Sequence, residues 1–183
     1  MAKNILVVVG SPRKGGNSDL LADAFTRGAL AVGHDVARFD AATDRVEGCT
    51  GCDGCWSGGK ACIVDDGFDR LSPMLEKADA LVLCSPLYWY SFSAQIKSAV
   101  DKLYAYMRPN CPQKLKMKEA ALLMCAEDTE EAAFTGPVGT YESILSYLEW
   151  TDRGRVLVTG VGPKGAIAQT DAPAKAEALG RQM

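Results

Sequence analysis

The sequence predicts an α/β three-layer sandwich: a five-stranded parallel sheet of order 2-1-3-4-5 with helices on both faces. Two observations predict the layers and a third limits them to one domain. Short apolar runs rich in β-branched residues recur along the chain, and stretches with helical spacing separate them. A run that is apolar at every residue fits a strand buried on both faces, and strand-helix alternation forces crossovers that lay helices over both sides of a parallel sheet. The length of 183 residues then fits a single domain, 1–183, at the usual ~100 to 200 residues per domain. With 48% hydrophobic and 23% charged residues the chain has enough apolar side chains for one core, and it lacks the profile of a disordered segment.

The elements follow in order. Ile5-Leu6-Val7-Val8-Val9 is the first strand, ended by Gly10. After a turn over residues 10–16, Leu20, Leu21, Ala24 and Phe25 repeat at helical spacing, with Asn17 or Ser18 as the cap and Gly33 as the stop. Residues 36–39 form a weaker second strand. The stretch 47–66 is rich in Gly and Cys, has neither period, and reads as an ordered loop closed by Asp65-Asp66 as a helix cap. Phe68, Leu71, Met74 and Leu75 share a helical face, and Ala80-Leu81-Val82-Leu83-Cys84 is the third strand. A helix over 93–107, a strand over 120–125, a helix over 141–150, a strand over 156–159 and a last helix from about Pro173 complete the alternation. Five strands in this arrangement give a flavodoxin-like order, whose ligands sit beyond the carboxyl ends of the strands at the switch point.

Composition removes several function classes. Twenty Lys and Arg against 23 Asp and Glu give a net charge of -3, so no global positive field draws a nucleic-acid backbone or an anionic membrane. The early apolar run is far shorter than the ~20 residues of a spanning helix and has no cleavage-site pattern after it, which makes this a cytoplasmic-type sequence. Seven cysteines is an odd count, unlike a secreted disulfide framework, so the thiols read as reduced, metal-bound or redox-active. One histidine, His34, follows Gly33 in a connection and takes no role.

Beyond the first strand the chain reads Gly10-Ser11-Pro12-Arg13-Lys14-Gly15-Gly16-Asn17-Ser18. This is neither the Gly-x-Gly-x-x-Gly of a dinucleotide fold nor a P-loop. It still suits a phosphate monoester. Glycines let backbone amides converge, the following helix adds the positive end of its dipole, Ser11 and Ser18 offer hydroxyls, and Arg13 donates charge-assisted bonds. Beyond the third strand, Leu87-Tyr88-Trp89-Tyr90 places aromatic surface at the same sheet edge, as a flat amphipathic ring requires, or alternatively at an oligomer contact.

These two motifs, with Ser85-Pro86-Leu87-Tyr88-Trp89-Tyr90 continuing through Lys97 and Asp101, resemble the flavodoxin-like NADPH-dependent FMN reductase superfamily over roughly the first 110 residues. The resemblance implies that Ser11, Arg13, Asn17 and Ser18 hold the FMN phosphate and that Pro86, Leu87, Tyr88 and Trp89 border the isoalloxazine ring. It also implies a homodimer or homotetramer.

Cys49-x2-Cys52-x2-Cys55-x6-Cys62 lets three thiolates face one centre, with the fourth returning after Gly58-Gly59. Four soft ligands suit iron-sulfur or zinc. The ferredoxin run differs, since its last gap is shorter and a Pro follows it. The spacing resembles the iron-sulfur flavoproteins of the same superfamily, which implies Cys49, Cys52, Cys55 and Cys62 as ligands of one [4Fe-4S] cluster near FMN. Metal-free thiols, a redox disulfide and structural zinc stay open as alternatives. Cys84 and Cys125 read as buried apolar residues, and Cys111 as an exposed loop thiol.

By these implications the protein is an FMN-dependent NAD(P)H oxidoreductase that passes electrons to a small-molecule acceptor or a redox protein. The alternative is an iron-sulfur flavoprotein carrying single electrons between a ferredoxin-like donor and FMN; a third class is a flavin-free redox or metal sensor. No Ser/His/Asp or Cys/His set suggests acid-base or nucleophilic catalysis. Residues 127–137 carry four carboxylates that would repel an anionic cofactor, so they read as a solvated lid or partner surface on which substrate identity depends.

Overall fold

The computed structural model describes all residues Met1–Met183. The chain runs β1 (Asn4–Val9), α1 (Asn17–Ala31), β2 (Asp35–Asp40), a one-turn α2 (Ala41–Asp44), α3 (Phe68–Lys77), β3 (Ala80–Tyr88), β4 (Ser91–Phe92), α4 (Ala94–Asp101), β5 (Glu119–Cys125), α5 (Thr135–Leu148), β6 (Thr151–Val158) and α6 (Ala172–Arg181). Five strands are parallel in the order β2-β1-β3-β5-β6, and β4 pairs antiparallel with the end of β3 as a sixth, two-residue strand. No helix is long and apolar enough to cross a membrane.

Side-chain alternation along the central strands builds two cores. Leu6 and Val8 of β1, Leu81 and Leu83 of β3, and Ala120, Leu122 and Met124 of β5 face one core with Phe68 and Leu71 of α3, Ile96 of α4 and Tyr141 of α5. Ile5, Val7 and Val9, then Ala80, Val82 and Cys84, then Ala121, Leu123 and Cys125 face the other, with Leu21 and Phe25 of α1 and Ala176 of α6. The sheet is therefore the middle of three layers, and the central strands β1, β3 and β5 are apolar on both sides as their sequence runs require. On the second face α1 and α6 meet backbone to backbone: a Cβ on Gly28 would stand 2.0 Å from the Glu177 carbonyl oxygen.

Several boundaries differ from the sequence reading. The expected helix over 93–107 is α4 followed by a 3₁₀ turn, Lys102–Met107. The helix expected from residue 141 begins at Thr135, inside the acidic segment, after a 3₁₀ turn whose Ala133 and Phe134 are buried. The last strand starts at Thr151 rather than at 156, because its first residues are the half of an edge strand that faces solvent and carry Asp152, Arg153 and Gly154 instead of an apolar run. Neither Asn17 nor Ser18 caps α1; Gly16 holds the cap position and no side chain takes its place.

Candidate functional site

The strand order reverses between β1 and β3, so the loops leaving these strands part and leave a cleft at their carboxyl ends. A cavity of about 200 Å3 occupies it and is lined by Ser11, Arg13, Asn17, Ser18, Pro86, Leu87 and Tyr88, seven of the eight non-cysteine residues singled out from the sequence. Trp89, the eighth, lines an adjoining slot of about 500 Å3 with Tyr88 and Tyr90. The strand tips thus bring both motifs to one place.

The first-turn amides of α1 have no side-chain cap and are free to serve an anion. Of the two cations in the loop, Lys14 is committed to Asp40 at 2.7 Å, whereas Arg13 lines the cavity without a carboxylate partner. A second unpaired cation joins it: Lys164, from the loop after β6, lines the same cavity, and its stem lies 3.5 Å from where a Cβ on Gly15 would stand. The sequence reading missed Lys164 because only the topology brings residue 164 beside residue 15. Ser11 Oγ accepts the Arg13 amide at 3.2 Å and shapes the turn.

Asn17 plays a bracing part. Its Nδ2 donates to the carbonyls of Val161 at 2.6 Å and Pro163 at 3.0 Å, and its Oδ1 accepts the Ile167 amide at 3.2 Å. The side chain therefore fastens the Lys164 loop to α1, and what Asn17 offers the cavity is its backbone amide. Ser18 is buried, with its Oγ 3.2 Å from Cys125 Sγ, and Cys84 Sγ donates to the Ser18 carbonyl at 3.0 Å. Burial pushes the Cys125 and Cys84 thiols up, so both stay protonated fillers beneath the cavity. Behind the loop, Arg38 pairs with Asp19, Asp23 and Asp40, while Asp19 accepts the Gly15 amide at 2.6 Å. Burial works against ionising Asp40, but the bonds from Lys14 and Arg38 outweigh it and hold its carboxyl below the usual range.

The aromatic slot is built by a hairpin that extends the third strand beyond the predicted residues 80–84. β3 runs on to Tyr88, and Leu87 and Tyr88 pair with Phe92 and Ser91 across the two central residues Trp89 and Tyr90. Both of these have left-handed backbones, φ 47° and 58°, where Asn-Gly is the usual choice. Trp89 is 94% exposed. The turn is seated by the Tyr90 carbonyl, which packs where a Cβ on Gly136 would come within 2.6 Å.

The cysteine loop lies on the α3-α4 face of the sheet, and its cavity shares no lining residue with the strand-tip cavity. Cys49, Cys52, Cys55 and Cys62 all border one small pocket of about 20 Å3, together with Tyr104 and Ala105. Trp56 Nε1 donates to the Ala105 carbonyl at 2.8 Å, its ring meets Tyr106 edge-on at 5.6 Å, and Asn110 Nδ2 donates to the Cys55 carbonyl at 3.0 Å. The Gly54 amide, foremost, pulls the Cys52 thiol down, and burial pushes Cys55 up. All seven thiols are free. No three His, Cys, Asp or Glu side chains converge tightly enough to hold a single metal ion, so mononuclear zinc has no preformed site. The four thiols match the ligands of a four-iron cluster in kind and number only: the pocket they border holds about 20 Å3 and forms no metal site.

Outside these sites, Cys111 is half-buried rather than exposed, its Sγ donating to the Gln113 carbonyl at 3.2 Å. His34 is half-buried too, its Nδ1 accepting the Lys3 amide at 3.1 Å, and it stays a structural residue.

Comparison with known proteins agrees with this geometry. The family model for NADPH-dependent FMN reductase matches residues 3–134. An "Iron-sulfur flavoprotein" of Archaeoglobus fulgidus is 33% identical over 99 residues, 54% of this chain and 44% of the relative. A "Putative NAD(P)H-dependent FMN-containing oxidoreductase YwqN" of Bacillus subtilis is 22% identical over 179 residues, 96% of this chain and 95% of that one. This chain spans about half the length of the iron-sulfur flavoproteins it matches, from 44% to 59% in three of them. Among solved structures, an NAD(P)H:quinone oxidoreductase from Methanothermobacter marburgensis superposes with a TM-score of 0.75 at 19% identity, covering 99% of this chain and 96% of the other, which shows the shared fold. With a match over residues 3–134 and the two motifs meeting at one cleft, the chain belongs to the NADPH-dependent FMN reductase family.

Proposed function

We propose that this protein is an FMN-dependent NAD(P)H oxidoreductase, with residues 1–183 forming one flavodoxin-like domain that carries the cysteine loop 47–66. The observation that carries this reading is the strand-tip cavity, which unites an uncapped helix N-terminus and two unpaired cations, Arg13 and Lys164, with an aromatic hairpin. That donor set fits a flavin mononucleotide: a doubly charged phosphate at one end, a flat amphipathic ring at the other.

FMN, when bound, supplies the chemistry of accepting a hydride from a nicotinamide and passing electrons on to an acceptor. The chain's own residues bind and orient. Arg13, Lys164, Ser11 and the amides of Asn17 and Ser18 receive the phosphate, with the Asn17 side chain holding Lys164's loop in place. Pro86, Leu87, Tyr88 and Trp89 border the ring, the hairpin giving it an apolar wall and excluding water on that side. No side chain here is placed as a general acid or base. The acceptor is a small molecule or a redox protein, and the working form is a homodimer or homotetramer in the cytoplasm, with no part for nucleic acid or membrane.

The experiment is anaerobic stopped-flow mixing of FMN-loaded protein with NADPH and NADH. Bleaching of the flavin band supports the reductase; a band that persists rejects it.

A second reading has its own observation. Four cysteines border one pocket, and relatives bearing the name iron-sulfur flavoprotein match about half of the chain. In that reading Cys49, Cys52, Cys55 and Cys62 hold a [4Fe-4S] cluster, which would supply single electrons to the flavin. Iron and sulfide analysis of anaerobically purified protein decides it: about four of each per chain supports the cluster, and none leaves free thiols.

A further inference from the structure

The two spaces at the strand tips differ in charge, and one carboxylate stands on the seam between them. The smaller has Arg13 and Lys164 on its wall. The larger is walled by Tyr88, Trp89 and Tyr90, contains no cation, and has Glu127 and Asp128 as its carboxylates. Glu127 lines both. Asp128 has local work, its Oδ1 accepting the Glu130 amide at 2.9 Å and its carbonyl the Gly160 amide at 2.8 Å. Glu127 has no hydrogen bond and no ion pair, although Lys164 borders the same cavity. Its stem is nonetheless packed, with Cγ and Cδ within 2.9 Å of where a Cβ on Gly162 would stand. The carboxylate thus borders both spaces and has no bonded partner.

We propose that the aromatic slot admits planar aromatic acceptors that are neutral or cationic, and that Glu127 selects against acceptors bearing sulfonate or carboxylate groups. This rests on the flavin reading above and adds the substrate class to it. Aromatic faces attract a cation and disfavour an anion, and an unpaired carboxylate acts in the same sense. In near-aqueous surroundings one unit charge at about 6 Å changes a dissociation constant about threefold, hence about tenfold between a cationic and an anionic probe. The preference is electrostatic and exposed, so high salt weakens it.

The test titrates FMN into the protein and then, with no nicotinamide present, adds 1,4-naphthoquinone, a sulfonate derivative of it or a trimethylammonium derivative, reading tryptophan fluorescence and flavin absorbance. At low salt the sulfonate dissociation constant should exceed that of the ammonium probe about tenfold, and at ~1 M NaCl the gap should close to about twofold. Glu127→Gln should remove most of the gap and Glu127→Lys reverse it, with the neutral quinone binding within about twofold throughout. Glu127 is exposed and bonded to nothing, so both variants keep the fold. Equal binding of the two charged probes, or a gap that survives Glu127→Gln undiminished, overturns the inference. Failure of the chain to take up FMN is a separate result that rejects the parent reading, and the same titrations on flavin-free protein then still decide the charge order.

Discussion

Asp66 and Lys102 form an ion pair at 2.5 Å with side chains only 3% and 2% exposed, and the same carboxylate accepts the amides of Glu47 at 2.7 Å and Phe68 at 2.8 Å. One buried side chain thus ties both ends of the cysteine loop to each other and to the 3₁₀ turn that follows α4. Lys102 also lies over the Phe68 ring, 5.6 Å from its centroid.

Breaking this pair from one side leaves a buried charge without a partner, which costs about 3 to 5 kcal/mol. Lys102→Met and Asp66→Asn should each lower the urea midpoint by that equivalent, and the double variant should recover part of the loss. Additive losses in the double variant would show that the two residues act apart.

The hairpin carries a second prediction. Trp89 and Tyr90 occupy left-handed conformations that cost about 1 to 3 kcal/mol each for side-chain-bearing residues, and the exposed Trp89 returns little packing to this chain. Replacing the pair by Asn-Gly should stabilise the flavin-free protein by about 1 kcal/mol or more while weakening FMN binding; Trp89→Ala alone should weaken binding without the gain. Calorimetry and FMN titration check both, and undiminished flavin affinity would take the hairpin out of the site.

The phosphate end is tested by charge removal. Arg13→Ala and Lys164→Ala should each weaken FMN binding about tenfold, as expected for a partly exposed charge-assisted bond of about 1.5 kcal/mol. Asn17→Ala should weaken it too, through the Lys164 loop, and its loss should shrink when combined with Lys164→Ala. Fluorescence titration of the single and double variants reads this directly.

Asp40 gives a pH dependence. Its folded-state carboxyl is held below the ordinary value by Lys14 and Arg38, so its contribution is present above the unfolded value near ~4 and is lost as the pH falls through the lower, folded one. The melting-temperature difference between native protein and Asp40→Asn should stay constant from pH 8 to 5 and close below about pH 4. A difference that closes near neutrality would assign the effect to another group.

The sheet was legible because its central strands must be apolar on both faces, and uninterrupted runs such as residues 5–9 and 80–84 have few other readings. The phosphate loop was legible because it is local: Ser11, Arg13, Asn17 and Ser18 lie within eight residues at one strand end. The hairpin was hidden because Trp89-Tyr90 lacks the Asn-Gly that marks such a turn, and the start of α5 because Gly136, Pro137 and Gly139 sit in its first turns. Lys164 and the Asp66–Lys102 pair were hidden for another reason. Each depends on residues far apart in sequence that meet only once the strands are in order, and no local pattern encodes that.

The most direct test of the central claim, that the loop after β1 receives the phosphate of a flavin whose ring lies by the hairpin, is a paired titration of the flavin-free protein with FMN and with riboflavin, which lacks the phosphate. The account predicts one FMN per chain, with riboflavin bound at least about tenfold more weakly and the difference largely lost in Arg13→Ala/Lys164→Ala. Equal affinity for the two flavins, or no uptake of either, would contradict it.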